Sequence, residues 1–145
     1  MFLGQHTNTI DEKGRITLPS RFRELLSDGA YITVGLDQNL IVMPASHFIQ
    51  QYERINSMNP NNPLVRNYRR FTFGRAAKIE FDSVGRFIIP QNLRESASLT
   101  NSAVIVGIGE DIEIWSPDLW AKQAEKLENP ETSTSGFENL DLSNS

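Results

Sequence analysis

Short stretches of alternating or continuous hydrophobic residues recur along the first and last thirds of the chain. β-branched and aromatic residues dominate these stretches, and turns rich in glycine, aspartate and asparagine separate them. The pattern predicts strands over residues 15–19 and 86–90. It also predicts two strands within residues 31–44 and two within residues 103–116, joined by polar turns at 37–39 and 109–111. Pro19 and Pro90 follow two of these strands, and proline at such a position ends a strand and suits the first turn of a short helix.

Apolar positions three and four residues apart mark the other ordered segments. This spacing predicts helices over residues 46–56, over residues 64–71 and from Pro117 to about residue 128. We expect Ser46 and Ser116 to cap the first and the third of these helices. The positions predicted to face inward are Phe48, Ile49, Tyr52, Ile55, Leu64, Val65, Tyr68, Phe71, Leu119, Trp120, Ala124 and Leu127.

The chain contains an internal duplication. Residues 10–19 read IDEKGRITLP and residues 81–90 read FDSVGRFIIP, the same pattern 71 residues apart. A second block, residues 31–44, aligns with residues 103–116 in the same order and with one extra residue between the blocks. Two aligned blocks in one order indicate two copies of a single structural unit. The matched residues include Asp11 with Asp82, Gly14 with Gly85, Arg15 with Arg86, Pro19 with Pro90 and Arg23 with Arg94.

Each copy opens with a turn that we predict to close a tight hairpin. Gly14 and Gly85 stand where such a turn requires a positive φ angle. Asp11 and Asp82 are expected to cap the turns by accepting hydrogen bonds from the following amides. We therefore interpret these four residues as structural.

The predicted fold class is α+β, built from two β repeats and connecting helices. One copy of about 45 residues exposes strand edges and has too small a core to stand alone. We therefore expect the two copies to pair about a pseudo-two-fold axis and to close a small barrel. The predicted organisation is a first repeat at 5–47, a helical connector at 48–75, a second repeat at 76–119, the end of a C-terminal helix at 120–128, and an acidic, disordered tail at 129–145.

The distribution of charge changes the expectation for a binding partner. The net charge is −4, but residues 1–75 carry +3 and residues 76–145 carry −7. Four cations lie within eleven residues on the first turn and the helix after it: Lys13, Arg15, Arg21 and Arg23. Such a cluster on a β scaffold is typical of a surface that contacts the phosphates of nucleic acid. A second group, Arg66, Arg69, Arg70 and Arg75, is interpreted as the solvated face of an amphipathic helix.

No feature of the sequence predicts catalysis or a cofactor. The two histidines, His6 and His47, have no companion at metal-ligand spacing, and cysteine is absent. No phosphate-binding loop or nucleophile motif occurs. We therefore expect no catalytic residues, no metal site and no cofactor. No membrane association is expected either, because no apolar run approaches the roughly 18 residues of a membrane span, and no secretory signal is recognisable.

The segment IDEKGRITLPSRFREL resembles the D-x-x-G-R-x-x-x-P-x-x-x-R signature of the AbrB/SpoVT swapped-hairpin DNA-binding domains. Two copies joined by a helical pair, in a chain that opens MF-x-G, resemble the MraZ family of regulators over residues 1 to about 128. The resemblance implies a pseudo-dimeric, swapped-hairpin barrel that assembles into ring-like homo-oligomers. It also implies a cytoplasmic, nucleoid-associated transcription regulator of its own division and cell-wall gene cluster, bound to repeated promoter boxes in double-stranded DNA. The D-x-x-x-R residues of the family correspond to Asp11, Arg15, Asp82 and Arg86.

From these features we expect a sequence-specific DNA-binding regulator that acts as a repressor. Lys13, Arg15, Arg21, Arg23 and Arg86 are the predicted DNA-binding residues. Because the second repeat has Val84 and Asn92 in place of Lys13 and Arg21, the first repeat is expected to carry most of the salt-dependent affinity, with Arg86 serving mainly an ion pair to Asp82. Two alternatives stay open: an antitoxin of the AbrB fold, and a non-catalytic, ring-forming interaction module.

Overall fold

A computed structural model describes residues 1–129, 131 and 134–143 of the chain. The strands of this part are β1 (Phe2–Thr9), β2 (Arg15–Thr17), β3 (Ala30–Val34), β4 (Leu40–Pro44), β5 (Ala77–Lys78), β6 (Arg86–Ile88), β7 (Ser102–Gly109) and β8 (Ile112–Trp115). The α-helices of the same part are α1 (Ser20–Leu25), α2 (Ala45–Asn56), α3 (Pro63–Thr72), α4 (Gln91–Ser96) and α5 (Pro117–Glu128). Short 3₁₀ helices cover Phe73–Arg75 and Thr134–Asn139. The predicted α+β class is confirmed.

The main sheet contains strands of both repeats, with a strand pair of each repeat at its centre and one single strand of each at its edges. Its six antiparallel strands lie in the order β1-β7-β8-β4-β3-β5, and the order is unchanged when every strand is exchanged for its counterpart in the other repeat. At the centre, Leu40 pairs with Ile114 and Val42 with Ile112, on either side of the pair Ile41–Glu113. The register therefore has the pseudo-two-fold symmetry expected of a duplicated chain.

The main sheet is not closed. Its edges are β1, which has eight residues, and β5, which has two. Strands β2 and β6 form a separate two-stranded antiparallel sheet. The closed barrel expected from the sequence is accordingly not confirmed, and the β-structure consists of one open sheet and one ribbon.

The tight turns predicted at residues 11–14 and 82–85 form, but the strands on either side of each turn do not pair with each other. The strand β1 that precedes the first turn pairs with β7, and the strand β2 that follows it pairs with β6. Two backbone hydrogen bonds close the first turn, from Asp11 N to Arg15 O at 3.0 Å and from Gly14 N to Asp11 O at 2.9 Å. Their counterparts in the second turn run from Asp82 N to Arg86 O at 2.8 Å and from Gly85 N to Asp82 O at 3.0 Å. At these two turns, pairing across the repeats replaces pairing across the turn, and it buries Ile16 and Phe87 in the common core.

Matched positions of the two repeats build one hydrophobic core. Each side chain of a matched pair is no more than 3% exposed, so the core is shared equally. Full burial of one such aliphatic or aromatic side chain stabilises a fold by roughly 1.5–3 kcal/mol. The matched buried pairs are Ile16 with Phe87, Leu18 with Ile89, Phe22 with Leu93, Leu26 with Ala97, Leu40 with Ile112, and Val42 with Ile114.

One of the two predicted helix caps is confirmed. The side chain of Ser116 accepts a hydrogen bond from Leu119 N at 3.1 Å, which confirms it as the cap of α5. Helix α2 instead begins at Ala45, directly after Pro44, and Ser46 is not its cap. The amide of Ala45 donates to the carbonyl of Gly29 at 3.0 Å, so the backbone already satisfies a donor of that first turn.

Four apolar positions predicted to face inward are solvent-exposed, and two of them, Ile49 and Tyr52 of α2, are 48% and 46% exposed. Leu64 in α3 is 75% exposed and Leu127 in α5 is 45% exposed, whereas Val65 of α3 is buried. Helix α5 packs one face on the sheet through Leu119 and Trp120. Leu127 lies in the last turn of α5, where its periodic spacing did not imply burial.

The predicted tail is only partly described. Residues 134–139 form a 3₁₀ helix, and residues 130, 132–133 and 144–145 lie outside the described residues. The disorder of the tail stays a prediction. Among the helices of the described part, none combines the length and the apolar character that crossing a membrane requires.

Because β1, β2 and β4 each pair with a strand of the second repeat, residues 1–75 alone should not form a stable monomer. The missing partners would leave strand edges and the apolar faces of Ile16 and Leu40 uncovered. We expect this fragment to dimerise or to aggregate, as measured by analytical ultracentrifugation and by ¹⁵N-edited NMR. The intact chain is the control, and a dispersed spectrum from a monomeric fragment at low concentration would contradict the inter-repeat pairing.

Candidate nucleic-acid interface

The outward face of the β2–β6 ribbon displays one motif arginine from each repeat. In its register Arg15 pairs with Ile88, Ile16 with Phe87, and Thr17 with Arg86. Successive side chains of a strand point to opposite faces. Because Ile16 and Phe87 are buried in the core, the arginine side chains lie on the opposite face, where 29% of Arg15 and 36% of Arg86 is exposed. Diagonal positions of this kind lie roughly 7–8 Å apart.

The carboxylate of Asp11 accepts hydrogen bonds both from the backbone of the first turn and from the side chain of Arg15. Its Oδ1 accepts hydrogen bonds from the backbone N–H groups of Lys13 at 3.0 Å and Arg15 at 2.8 Å. Its Oδ2 accepts from Nε of Arg15 at 2.6 Å. The guanidinium is thus held at Nε, and its Nη1 and Nη2 groups make no hydrogen bond to the protein within the described part of the chain.

The second turn repeats this geometry. Oδ1 of Asp82 accepts from the backbone N–H groups of Val84 at 3.1 Å and Arg86 at 2.8 Å, and Oδ2 accepts from Nε of Arg86 at 2.9 Å. The exposures of Asp82 and Asp11 are 35% and 36%, so the two ion pairs also sit in equivalent surroundings. Arg15 and Arg86 therefore have equivalent partners and equivalent hydrogen bonds, whereas the sequence led us to expect the ion pair as the main role of Arg86 alone.

Each turn glycine contacts an arginine of the other repeat. Gly14 has φ +81° and Gly85 has φ +85°, values that side-chain-bearing residues rarely adopt. A Cβ atom on Gly85 would collide with Nη1 of Arg23, and one on Gly14 would collide with the guanidinium of Arg94. The turns need glycine both for the backbone conformation and for the space that these side chains occupy.

Three of the four cations predicted as one cluster, Lys13, Arg15 and Arg23, are divided between the two turns. Lys13 and Arg15 belong to the first turn, which contacts Arg94 of α4. Arg23 of α1 instead lies on Gly85 in the second turn, and its Nε donates to Leu18 O at 3.2 Å. Since β2 and β6 are antiparallel, the helix that follows each strand lies next to the turn of the other repeat. The prediction that these cations form one cluster within the first repeat was therefore wrong.

Arg94 was missed as a member of this surface. The repeat alignment matches it with Arg23, and that equivalence was the signal that could have placed it there. Arg21 and Lys13 are exposed, as predicted for cations that contact a ligand. The surface is not uniformly basic, because Glu12, Glu24 and Glu95 on the same segments are exposed as well.

A histidine–carboxylate contact also joins the two repeats, away from this ribbon. Nδ1 of His47 in α2 lies 2.6 Å from Oδ1 of Asp111, in the turn between β7 and β8. Nε2 of His47 lies 3.5 Å from Oε2 of Glu110. Burial raises the pKa of Asp111, while its hydrogen bond to His47 opposes that rise. In the ranges that the structure describes, no group of three or more His, Asp or Glu side chains could hold a metal ion.

Replacing Gly85 by alanine should destabilise the protein more than replacing Gly109. Both glycines have positive φ, but a Cβ at Gly109, where φ is +99°, has no atom within 4 Å, whereas one at Gly85 meets Arg23. We expect Gly109→Ala to lower the free energy of unfolding by about 1 kcal/mol from backbone strain and Gly85→Ala by about 2–3 kcal/mol. Urea unfolding measures both values. Combining Gly85→Ala with Arg23→Ala should recover part of the difference, and equal losses in the two single variants would contradict the contact.

The stability of the protein should fall in acid because of the two turn aspartates. Hydrogen bonds from the backbone N–H groups of Arg15 and Arg86, and then from their side chains, lower the pKa values of Asp11 and Asp82. A lowered folded-state pKa contributes stability that is fully present above the unfolded value of about 3.9 and is lost as pH falls through the folded value.

We therefore expect the double variant Asp11→Asn/Asp82→Asn to be less stable than the wild type at pH 7 and to lose less stability between pH 5 and pH 2. Urea midpoints over that pH range measure the effect. Glu12→Gln, a change of an exposed carboxylate on the same turn, is the control. Parallel acid profiles for the wild type and the double variant would contradict the prediction.

Comparisons with known proteins agree with this architecture. The family model described as "MraZ protein, putative antitoxin-like" matches the chain twice, over residues 1–71 and residues 72–142. The two matches divide the chain close to the boundary between the repeats.

Individual relatives extend the similarity over most of the chain. The transcriptional regulator MraZ of Herpetosiphon aurantiacus is 42% identical over 120 residues, which cover 83% of this chain and 84% of the relative. The transcriptional regulator MraZ of Finegoldia magna is 36% identical over 143 residues, which cover 98% of this chain and 100% of the relative. The protein of the same name from Thermomicrobium roseum is 41% identical over 127 residues, 88% of this chain and 89% of the relative. With its two repeats, their paired D-x-x-x-R turns and this extent of identity, the chain belongs to the MraZ family.

Proposed function

We propose that this protein is a transcription regulator that binds double-stranded DNA through the outward face of the β2–β6 ribbon. The observation that carries the proposal is the pair Arg15 and Arg86, each held at Nε by an aspartate and displayed on one face of one two-stranded ribbon. The major groove of B-DNA admits a two-stranded β-ribbon. The family relatives named as transcriptional regulators support the same function.

The ion pairs suit the two arginines to reading a base. An aspartate that binds Nε fixes the guanidinium plane, so less side-chain entropy is lost when the Nη groups meet a ligand. Two parallel N–H donors match the O6 and N7 acceptors of guanine. Lys13, Arg21, Arg23 and Arg94 lie on the turns and helices that flank the ribbon, where they are placed to contact phosphates. Under this proposal each half of the DNA contact combines residues of both repeats.

Assembly into a homo-oligomer completes the proposal. The edge strands β1 and β5 have unequal lengths, so a contact between copies need not be symmetric, and head-to-tail contacts generate rings. Leu3 of β1 is 63% exposed and Ile108 of the neighbouring β7 is 50% exposed, which gives this edge apolar surface to bury. A ring would present several arginine pairs at fixed spacing to repeated promoter boxes.

The remaining features of the proposal come from the family resemblance. They are a swapped-hairpin relationship between the repeats, action as a repressor at boxes before its own division and cell-wall genes, and a cytoplasmic, nucleoid-associated location. Pairing of β2 with β6 across the repeats supports the first of these. For the antitoxin alternative, the description of the family model is the only support.

Arg15→Ala and Arg86→Ala should weaken binding to the DNA upstream of the gene by comparable amounts. Each removes one of two equivalent guanidinium groups, and loss of a base contact costs on the order of 1–3 kcal/mol. Each variant should also lower the salt slope of log K by roughly 1 if its arginine contacts a phosphate. Fluorescence anisotropy over a salt series measures both quantities, and thermal melting verifies that the variants are folded.

Two further variants sharpen this test. Arg15→Lys retains the positive charge but lacks the planar guanidinium group. This variant should therefore discriminate less between bases, while the dependence of its binding constant on salt should stay nearly unchanged. Arg54→Ala removes an exposed arginine of α2 outside the ribbon and is the matched control. Normal binding by a folded Arg15→Ala/Arg86→Ala double variant would refute the ribbon as the DNA contact. A loss confined to Arg15→Ala would instead favour the first-repeat interface expected from the sequence.

A further inference from the structure

Helix α3 carries a group of arginines whose arrangement is unfavourable for the helix alone. Arg66 is three residues from Arg69 and four from Arg70, so each pair lies on the same helix face. Like charges at these spacings destabilise a helix. No aspartate or glutamate occurs between residues 63 and 75, and thus no acid at helical spacing relieves the repulsion.

The helix dipole accounts for only part of this group. Cations are favourable near a helix C-terminus, where Arg69 and Arg70 lie. Arg66 lies in the N-terminal half of α3, where the dipole disfavours a cation, although its Nη1 donates to Pro60 O at 3.1 Å and to Asn61 O at 2.9 Å. Nη1 of Arg70 donates to Oδ1 of Asn67 at 3.0 Å. None of these three arginines forms an ion pair with any side chain in the described part of the chain.

The same arginines surround a cavity with aromatic walls. It has a volume of about 480 Å³ and is lined by Tyr52, Arg66, Arg69, Arg70, Phe73 and Gly74. The ring of Tyr52 contacts that of Phe73 edge-on at 5.6 Å between centroids, and 46% of Tyr52 is exposed. Behind them, Phe48 packs on Phe73 at 5.7 Å and on Tyr31 at 4.2 Å, so the aromatic wall is anchored to the sheet.

We propose that this cavity binds a nucleotide, a ligand that combines phosphate groups with a planar base. Its volume lies within the roughly 300–1,000 Å³ range of small-molecule sites. Three guanidinium groups without ion pairs supply charge-assisted donors for phosphate oxygens. The partly exposed Tyr52 and Phe73 offer ring surface on which a base can stack.

Two other anionic occupants fit the cavity less well. The backbone of duplex DNA would satisfy the arginines, but its bases are paired inside the helix and would leave the aromatic wall without a partner. The acidic segment that follows α5 also has charge opposite to that of the arginines, but its carboxylates, Glu131, Glu138 and Asp141, are separated along the chain, whereas a phosphate chain brings its oxygens together on one ligand. The site does not depend on the ribbon of Arg15 and Arg86, so it can be tested independently of DNA binding.

Isothermal titration of the full chain with ATP, in EDTA and at physiological salt, tests the proposal. Tripolyphosphate, which has no base, and adenosine, which has no phosphate, serve as part-ligands. We expect ATP to bind at least about tenfold more tightly than either part-ligand, since each lacks one of the two contacts. Arg69→Gln should weaken ATP binding about tenfold by removing a cation that makes no hydrogen bond within the described part of the chain. Tyr52→Leu should weaken ATP binding and leave tripolyphosphate binding unchanged.

The controls separate this site from the DNA contact and from misfolding. Arg54→Gln, on the neighbouring helix but outside the cavity, should bind ATP as the wild type does. Equal melting temperatures would show that the variants are folded. No heat from ATP, equal affinity for ATP and tripolyphosphate, or normal ATP binding by folded Arg69→Gln would each overturn the proposal. Displacement of ATP by duplex DNA in the Arg15→Ala/Arg86→Ala variant would also overturn it, by making the cavity a duplex contact.

Discussion

Pairing of strands across the two repeats is the constraint on which the rest of the structure depends. Neither repeat contains a complete set of partners for its own strands: β1 requires β7, β2 requires β6, and β4 requires β8. The centre of the ribbon is the pair Ile16–Phe87, in which both side chains are 1% exposed. Because this pair buries its inner face in the common core, the outer face of the ribbon must carry Arg15 and Arg86.

The proposed binding surface is therefore composite. The turn of one repeat is completed by the short helix of the other, with Arg94 against Gly14 and Arg23 against Gly85. At each of these glycines, the backbone adopts a positive φ angle and the missing side chain leaves space for an arginine of the other repeat. Loss of either glycine would disturb the fold and the proposed DNA contact together, which links the stability of the protein to its function at the level of single turns.

The basic residues of the chain serve two arrangements that differ in physical character. On the ribbon, each motif arginine is held by one aspartate and lies on a projecting face, an arrangement suited to entering a groove. On α3, Arg66 and Arg69 lie beside Tyr52 and Phe73 around a concave cavity and have no acidic partner in the described structure. Projecting and concave surfaces of like charge suit different ligands, a duplex for the first and a small phosphate-bearing molecule for the second.

Much of the local structure follows from the sequence, because it depends on residues that are neighbours along the chain. The duplication, the positive φ at Gly14 and Gly85 and the caps formed by Asp11 and Asp82 were all predicted from residue type and spacing within a few positions. The cap of α5 at Ser116 was predicted in the same way. Hydrophobic spacing located the longer helices, although it also assigned the exposed Leu64 to the interior, since periodicity does not reveal whether a neighbour covers a given face.

The partners of each element were decided only by the tertiary structure. Sequence proximity grouped Arg23 with Lys13 and Arg15, whereas the antiparallel register of β2 and β6 places Arg23 on the opposite turn. The same register makes Arg86 the equivalent of Arg15, which the neighbouring residues Val84 and Asn92 had obscured. The sequence by itself determined the repeat, its turns and its ion pairs. Strand pairing between distant segments decides which repeat completes each turn. This pairing is favoured because it buries the shared core, and no local pattern of residues specifies the partner of a strand.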